Sequence, residues 1–372
     1  MHITELNVTA PQTLADRQLE AALTRDRQLW LQFEAQPNQM KALITLWHQF
    51  DLVAQDAQVL VPHGAVTPLI AALTAAGFAD AAADLTAIQA RHQIWWQAGT
   101  HRFNVSRKPL VYGILNVSPD SFYDGGRFVA EQAMRTQVAS MVAAGVDVVE
   151  VGGQTTRPGF TEISPEVELA RVKPVLTFLR QTFPKLPIAI DTYKYPVMAV
   201  AVAAGVDIIN DVNGFTDDPR KLALLAPTTA GLLTMHSNRD REYTDLTREM
   251  RDFFTTNLKA LTDAGIALER IALDQGIGYA KVADGQQDYA MMRNIDMLNE
   301  FHRPLMVAIS RKGFGAQLFH LAKDDRLPVT LIAESAMFLR GGNILRVHDV
   351  AETVQLRRML QTIESAYWLP QA

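Results

Sequence analysis

The spacing of apolar residues changes character near position 105. Before it, apolar positions recur at helical intervals over 11–25, 39–50, 68–77 and 80–96, with short strands expected at 59–62 and 101–105. After Lys108, short apolar runs that end on a polar residue alternate with amphipathic stretches, the mark of parallel sheet. The runs predict eight strands, at 110–116, 147–152, 188–191, 207–211, 231–235, 271–274, 305–310 and 344–347. Interiors such as the ValValGluVal run and LeuMetValAlaIle are read as apolar on both faces, as a sheet covered by helices requires.

Boundary residues support the helices between these strands. Pro165, Pro196 and Pro219 stand just inside expected helix starts, behind Ser164, Tyr195 and Asp218, where a missing N–H costs nothing. Gly145, Gly205, Gly265 and Gly341 stand where left-handed caps are expected. AlaAlaGlyValAsp occurs at 143–147 and again at 203–207, a spacing of two βα units of about 30 residues. Eight units need roughly 250 residues, which 108–365 supplies. A doubly wound nucleotide-binding sheet is the rival, but the first strand-to-helix turn has no G-x-G-x-x-G and no Walker lysine. The expected architecture is α/β: a (β/α)8 TIM barrel over 106–372 behind a small, mostly helical domain over 1–105. That first domain is either a lid or regulatory module, or a packing appendage or dimer surface.

Composition narrows the chemistry. With 48% apolar and 20% charged residues the chain is too hydrophobic for disorder. A net charge of -5 supplies no bulk positive field for nucleic acid or an anionic membrane, so an anionic ligand must be held by local geometry. The absence of cysteine removes disulfides, thiolate nucleophiles and Cys-zinc sites together. The first residues, MHITELNVTAPQ, lack the basic and apolar regions of a secretion signal. The longest apolar stretch, 66–79, is interrupted by Pro68 and falls short of the ~20 residues that span a bilayer. A cytoplasmic location is expected.

In such a barrel the chemistry lies at the carboxyl ends of the strands. Two groups separate there. Asn116, Arg157, Arg346 and His348, with Thr156 near, form an expected anion clamp, since guanidinium groups grip phosphate oxygens bidentately. The Asn116 amide can orient a divalent ion, and with no dense carboxylate cage a metal would be held largely by the ligand's phosphates. Asp191, Asn210, Asp274 and Lys312 end otherwise apolar strands; a flat heterocycle carrying N–H donors beside carbonyl and ring-nitrogen acceptors would satisfy them, as a pterin or guanine-like ring does. The plain alternatives are a solvated strand end for Arg346 and His348, and a structural Asp274–Lys312 ion pair. A glycosidase pair of Asp191 and Asp274 is disfavoured by the adjacent arginines.

These segments, in this order, resemble dihydropteroate synthases. The resemblance rests on GlyIleLeuAsnValSerProAspSerPhe (113–122) with AspGlyGly (124–126) and on GlyGlyGlnThrThrArgProGly (152–159). It continues through IleAspThrTyrLys (190–194), IleIleAsnAsp (208–211), ThrMetHis (234–236), LeuAspGlnGlyIleGlyTyrAlaLys (273–281), SerArgLys (310–312) and ArgValHisAspVal (346–350). It covers about 108–365. It implies a transferase that joins 6-hydroxymethyl-7,8-dihydropterin pyrophosphate to para-aminobenzoate with Mg²⁺, in folate biosynthesis. The pterin ring would meet Asp191, Asn210, Asp274, Lys312 and Met235; the pyrophosphate would meet Asn116, Thr156, Arg157, Arg346 and His348, with Asn116 toward the metal. Para-aminobenzoate and its sulfonamide mimics would meet Phe122, Thr156, Pro158 and the turn at Gly313. Asp191, Lys312, Arg346 and His348 would carry catalysis by positioning and charge stabilisation. A homodimer formed through barrel helices is implied in the same way.

The chain departs from the family pattern at Gln154 (usually Glu), Gln275 (usually Pro) and Gly313 (usually Ser), and the loop after His236 runs SerAsnArgAsp. Gly313 removes a hydroxyl used near the aminobenzoate carboxylate, for which backbone N–H groups of the following helix could substitute. Two other readings stay open: a pterin-barrel methyltransferase using a methylated folate, which would have no use for the arginine clamp, and a non-catalytic pterin-binding paralogue.

Overall fold

A computed structural model describes residues 1–8, 11, 13–117, 127–154, 161–237, 243–279 and 285–367, without the side chains of 127–131. The chain divides into two compact units, Met1–Gln93 with Arg358–Ala372, and Ile94–Arg357. The first therefore ends before residue 105 and takes in the carboxyl-terminal residues. The expected boundary shifts because Ile94, Trp96, Ala98 and Val105 pack in the core of the barrel unit.

The first unit runs β1 (His2–Glu5), α1 (Leu14–Thr24), β2 (Gln28–Glu34), α2 (Pro37–Gln49), β3 (Val53–Gln55), β4 (Gln58–Pro62), α3 (His63–Ala75) and α4 (Ala79–Arg91). Helix α1 starts on a reciprocal cap: Thr13 Oγ1 accepts from Asp16 N at 3.1 Å and Asp16 Oδ2 from Thr13 N at 2.8 Å. Four strands form an antiparallel sheet in the order β1-β2-β4-β3, where one or two were expected. Ile3, Leu29, Leu31, Phe33, Val59 and Val61 alternate along these strands and share one core with Leu43, Trp47, Leu69, Leu73 and Leu85 of the helices.

In the second unit β5 (Trp95–Ala98) and β6 (His101–Asn104) form a hairpin, so the helix expected over 80–96 stops at Arg91. Ile94, Trp96, Ala98 and Val105 fill the amino-terminal end of the barrel against Leu110, Tyr112, Val148 and Ile208, and Trp96 Nε1 donates to the Arg270 carbonyl at 2.9 Å. The hairpin closes the open base of the barrel and keeps water from its floor.

Eight parallel strands follow: β7 (Leu110–Asn116), β8 (Val148–Gly152), β9 (Ile188–Asp191), β10 (Ile208–Asp211), β11 (Gly231–Met235), β12 (Ile271–Asp274), β13 (Leu305–Val307) and β14 (Ile344–Val347). They close as β10-β11-β12-β13-β14-β7-β8-β9, with β14 beside β7. The helices between them are α5 (Arg127–Ala144), α6 (Pro165–Thr182), α7 (Tyr195–Ala203), α8 (Pro219–Leu225), α9 (Leu246–Asp263), α10 (Gln286–Arg293), α11 (Phe314–Phe319), α12 (Leu327–Phe338) and α13 (Val350–Glu364). Strand β13 stops at Val307, three residues earlier than expected, and a turn follows in which Lys312 N donates to the Ile309 carbonyl at 3.1 Å. Ser164 and Asp218 cap α6 and α8 through their side chains, whereas Tyr195 is the first residue of α7 and Lys194 precedes it. Gly145, Gly205, Gly265 and Gly341 all have positive φ, as left-handed caps require.

Candidate active site

Alternation along each strand decides what reaches the barrel's interior. Ala189, Ile208, Ala272 and Ile344 face inward over the floor, so the residues two further on, Asp191, Asn210, Asp274 and Arg346, face inward one layer higher. The same count carries Val148 to Glu150 and Leu233 to Met235. Strand register aligns Asn116, Gly152, Asp191 and Asn210 across four neighbouring strands. The polar residues at the ends of separate βα units thus converge on one cup.

Glu150 organises that cup, and the sequence reading missed it by treating the ValValGluVal run as apolar on both faces. The available signal was a lone acid in step with Gly152. Glu150 Oε1 accepts from Asn210 Nδ2 at 2.9 Å, while Oε2 accepts from Arg346 Nε at 2.6 Å and from Arg346 Nη2. Arg346 Nη2 also reaches Asp191 Oδ2 at 2.8 Å. Arg346, expected in the anion clamp, is therefore bound to the ring-side carboxylates, and its Nη1 has no partner among the described residues. Burial raises the Asp191 pKa to about 7; Arg346 opposes the rise and Glu150 adds to it. Burial works against the Arg346 charge, but Glu150 and Asp191 outweigh it and raise its pKa.

Two acceptors in the cup, Asp191 Oδ1 and Asn210 Oδ1, are buried and have no partner among the described residues. Asp274 accepts from Gly276 N at 2.8 Å through Oδ1, and burial raises its pKa against the pull of Lys312. Lys312 Nζ donates to the Ile277 carbonyl and stands 5.3 Å from the centre of the Tyr279 ring. Burial lowers its pKa to about 8, with Asp274 acting the other way. Gly278 makes this approach possible: its φ is +93°, and a Cβ there would lie 2.8 Å from Lys312 Cδ. Met235 is buried at the end of β11. Gln275 Nε2 donates to the Met291 carbonyl at 2.8 Å, a bond proline could not make.

On the anion side, His348 Nδ1 meets Ser310 Oγ at 3.0 Å, and Asn116 is exposed at the end of β7. Arg311 is a fastener, binding Asp349 bidentately at 2.8 and 2.7 Å. Gly313 is the N-cap of the short helix α11, and its own φ is −63°. Gln154 joins the two ends of its loop: Oε1 accepts from Ile163 N at 3.0 Å and from Lys194 Nζ at 2.6 Å, and Nε2 donates to Tyr193 Oη at 3.1 Å. Lys194 also pairs with Glu168 at 2.8 Å. Phe122, Thr156, Arg157 and Pro158 lie outside the described residues. Among the described residues no three His, Asp or Glu side chains form a metal cluster.

Residues 112–348 match the family model described as pterin binding enzyme. The chain is 32% identical over 266 residues to the dihydropteroate synthase of Clostridium beijerinckii, an alignment covering 71% of this chain and 98% of that one. It resembles the crystal structure of Burkholderia cenocepacia dihydropteroate synthase complexed with 7,8-dihydropteroate, with a TM-score of 0.65, 31% identity, and coverage of 73% and 97%. The structure of the Xanthomonas albilineans enzyme with 4-aminobenzoic acid gives a TM-score of 0.67 at 32% identity, covering 74% and 99%. With the family model matched over more than half of its length and relatives above 30% identity aligned over about 70% of it, the chain belongs to the dihydropteroate synthase family of pterin-binding enzymes.

Proposed function

We propose that the protein condenses 6-hydroxymethyl-7,8-dihydropterin pyrophosphate with para-aminobenzoate, giving 7,8-dihydropteroate and pyrophosphate for folate biosynthesis. The observation that carries the reading is the pair of buried acceptors, Asp191 Oδ1 and Asn210 Oδ1. Buried acceptors without donors are costly, and the amino and ring N–H groups of a pterin supply donors in one plane. Lys312 and Asp274 complete the frame with a donor for a ring carbonyl and a further acceptor.

Arg346 Nη1 and His348 take the pyrophosphate, and Arg346 then links head and tail of the substrate. The methylene C–O bond breaks, the pyrophosphate leaves with the electron pair, and the aminobenzoate nitrogen bonds to the methylene carbon and releases a proton. Positive charge spread over the pterin methylene is favoured by the Asp191, Asp274 and Glu150 carboxylates, so positioning and electrostatics suffice. Asn116 and the substrate's phosphate oxygens are a donor set suited to Mg²⁺, a hard cation that keeps few protein ligands. When bound, that ion offsets the charge of the departing pyrophosphate. Thr156, Arg157, Phe122, Pro158 and the Gly313 turn are assigned to the tail and to aminobenzoate on the family pattern. We further place the enzyme in the cytoplasm as a homodimer; no helix among the described residues is long and apolar enough to cross a membrane.

The test is direct. Protein, Mg²⁺, pterin pyrophosphate and para-aminobenzoate are mixed, and pyrophosphate release and dihydropteroate are followed together. Equal formation of both supports the reading, and pterin binding without turnover would identify a non-catalytic paralogue.

A further inference from the structure

We infer that Glu150 is a specificity-determining positioning residue: by fixing which way the Asn210 amide faces, it makes the cup select a ring that presents an amino donor over one that presents an oxo group. The inference rests on the pterin reading above and deepens it.

Asn210 can offer the cup an acceptor or a donor, depending on which end of its amide turns inward, and its neighbours decide. Glu150 is 0% exposed and, as a carboxylate, has only acceptors to give. Its Oε2 is taken by Arg346 Nε and its Oε1 faces Asn210 at 2.9 Å. Asn210 must therefore turn Nδ2 toward Glu150. That leaves Oδ1 as the buried acceptor without a partner among the described residues. A ligand edge bearing an amino group completes the arrangement, whereas a carbonyl there would set two acceptors face to face.

The substitution Glu150→Gln reverses the logic. A glutamine side chain has one acceptor oxygen, and the Arg346 guanidinium, being charged, claims it. The new NH₂ group then faces Asn210 and needs an acceptor there, so the Asn210 amide turns over, accepts through Oδ1 and presents Nδ2 to the ligand. Selectivity moves from the amino-bearing to the oxo-bearing ring with the shape of the cup unchanged.

Calorimetry on the full chain with 6-hydroxymethylpterin and its 2-oxo analogue, 6-hydroxymethyllumazine, tests this. The wild-type protein is expected to prefer the pterin by about tenfold or more. Glu150→Gln is expected to lose or invert that preference, and Glu150→Asp, which keeps two acceptors, to retain it. A general loss of affinity with the ratio intact in Glu150→Gln would overturn the inference and leave Glu150 a structural anchor. If Glu150→Gln does not fold, loss of the preference in Glu150→Asp overturns it. A wild-type protein that binds neither ring refutes the pterin reading itself, a distinct outcome.

Discussion

Arg346 Nη2 stands 2.8 Å from Asp191 Oδ2, joining residues 155 apart in the chain across the mouth of the barrel. The contact makes one guanidinium serve both halves of the site. Arg346→Ala would leave Glu150 and Asp191 as neighbouring buried carboxylates without the guanidinium they share, and one of them would take up a proton. Affinity for the bare pterin is expected to fall about tenfold and that for its pyrophosphate about a hundredfold or more. Calorimetry with the two ligands separates these losses; equal losses would confine Arg346 to the ring side.

The pH dependence of kcat/KM follows from the same cup. Asp191, with a pKa near 7, must lose its proton to act as a charged acceptor, so activity rises with pH through about 7. Lys312 loses its charge through about 8, so activity falls above that. The profile expected is a narrow bell, and Asp191→Asn should abolish its acid limb while leaving the alkaline one. An unchanged acid limb would assign that ionisation to another group.

Gly313 has room for a side chain. Nothing among the described residues lies within 4 Å of a Cβ built there, and its φ of −63° suits any residue. Gly313→Ser is expected to leave thermal stability nearly unchanged and to lower the KM for para-aminobenzoate by about three- to tenfold, with the pterin KM unaffected. Steady-state kinetics with each substrate varied in turn reads both values.

Glu334 offers a test of stability alone. It is 0% exposed on α12, neither carboxylate oxygen has a partner among the described residues, and burial raises its pKa to about 8, helped by Asp349. The folded chain therefore holds a proton that the unfolded chain gives up near 4.5. Between these values unfolding releases a proton, so stability falls as pH rises across about 4.5 to 8, by up to about 1.4 kcal/mol per pH unit, and levels off above. Glu334→Gln should flatten that slope and be the more stable protein at pH 8. Urea unfolding at several pH values measures the difference; parallel slopes would show that Glu334 is ionised in the fold.

The barrel is legible in the order of residues along the chain. Helix-covered parallel strands need apolar runs, and the polar residues that end them, Asp191, Asn210, Asp274 and Arg346, stand out because nothing in a plain sheet calls for them. The alternation of Gln28–Glu34, polar and apolar in turn, was equally legible as a strand of the first unit and went unread among its helical neighbours. Which side chains pair across the cup emerges only in the closed fold. Arg346 was assigned to an anion by its charge, yet it binds Glu150 and Asp191 because barrel closure sets β14 beside β7 and brings β8 and β9 within reach. Residues 94–104 likewise gave no sign that they would close the barrel's base. Local pattern fixes which face of a strand a side chain takes, whereas the neighbour it meets across the cup depends on how distant strands close on one another.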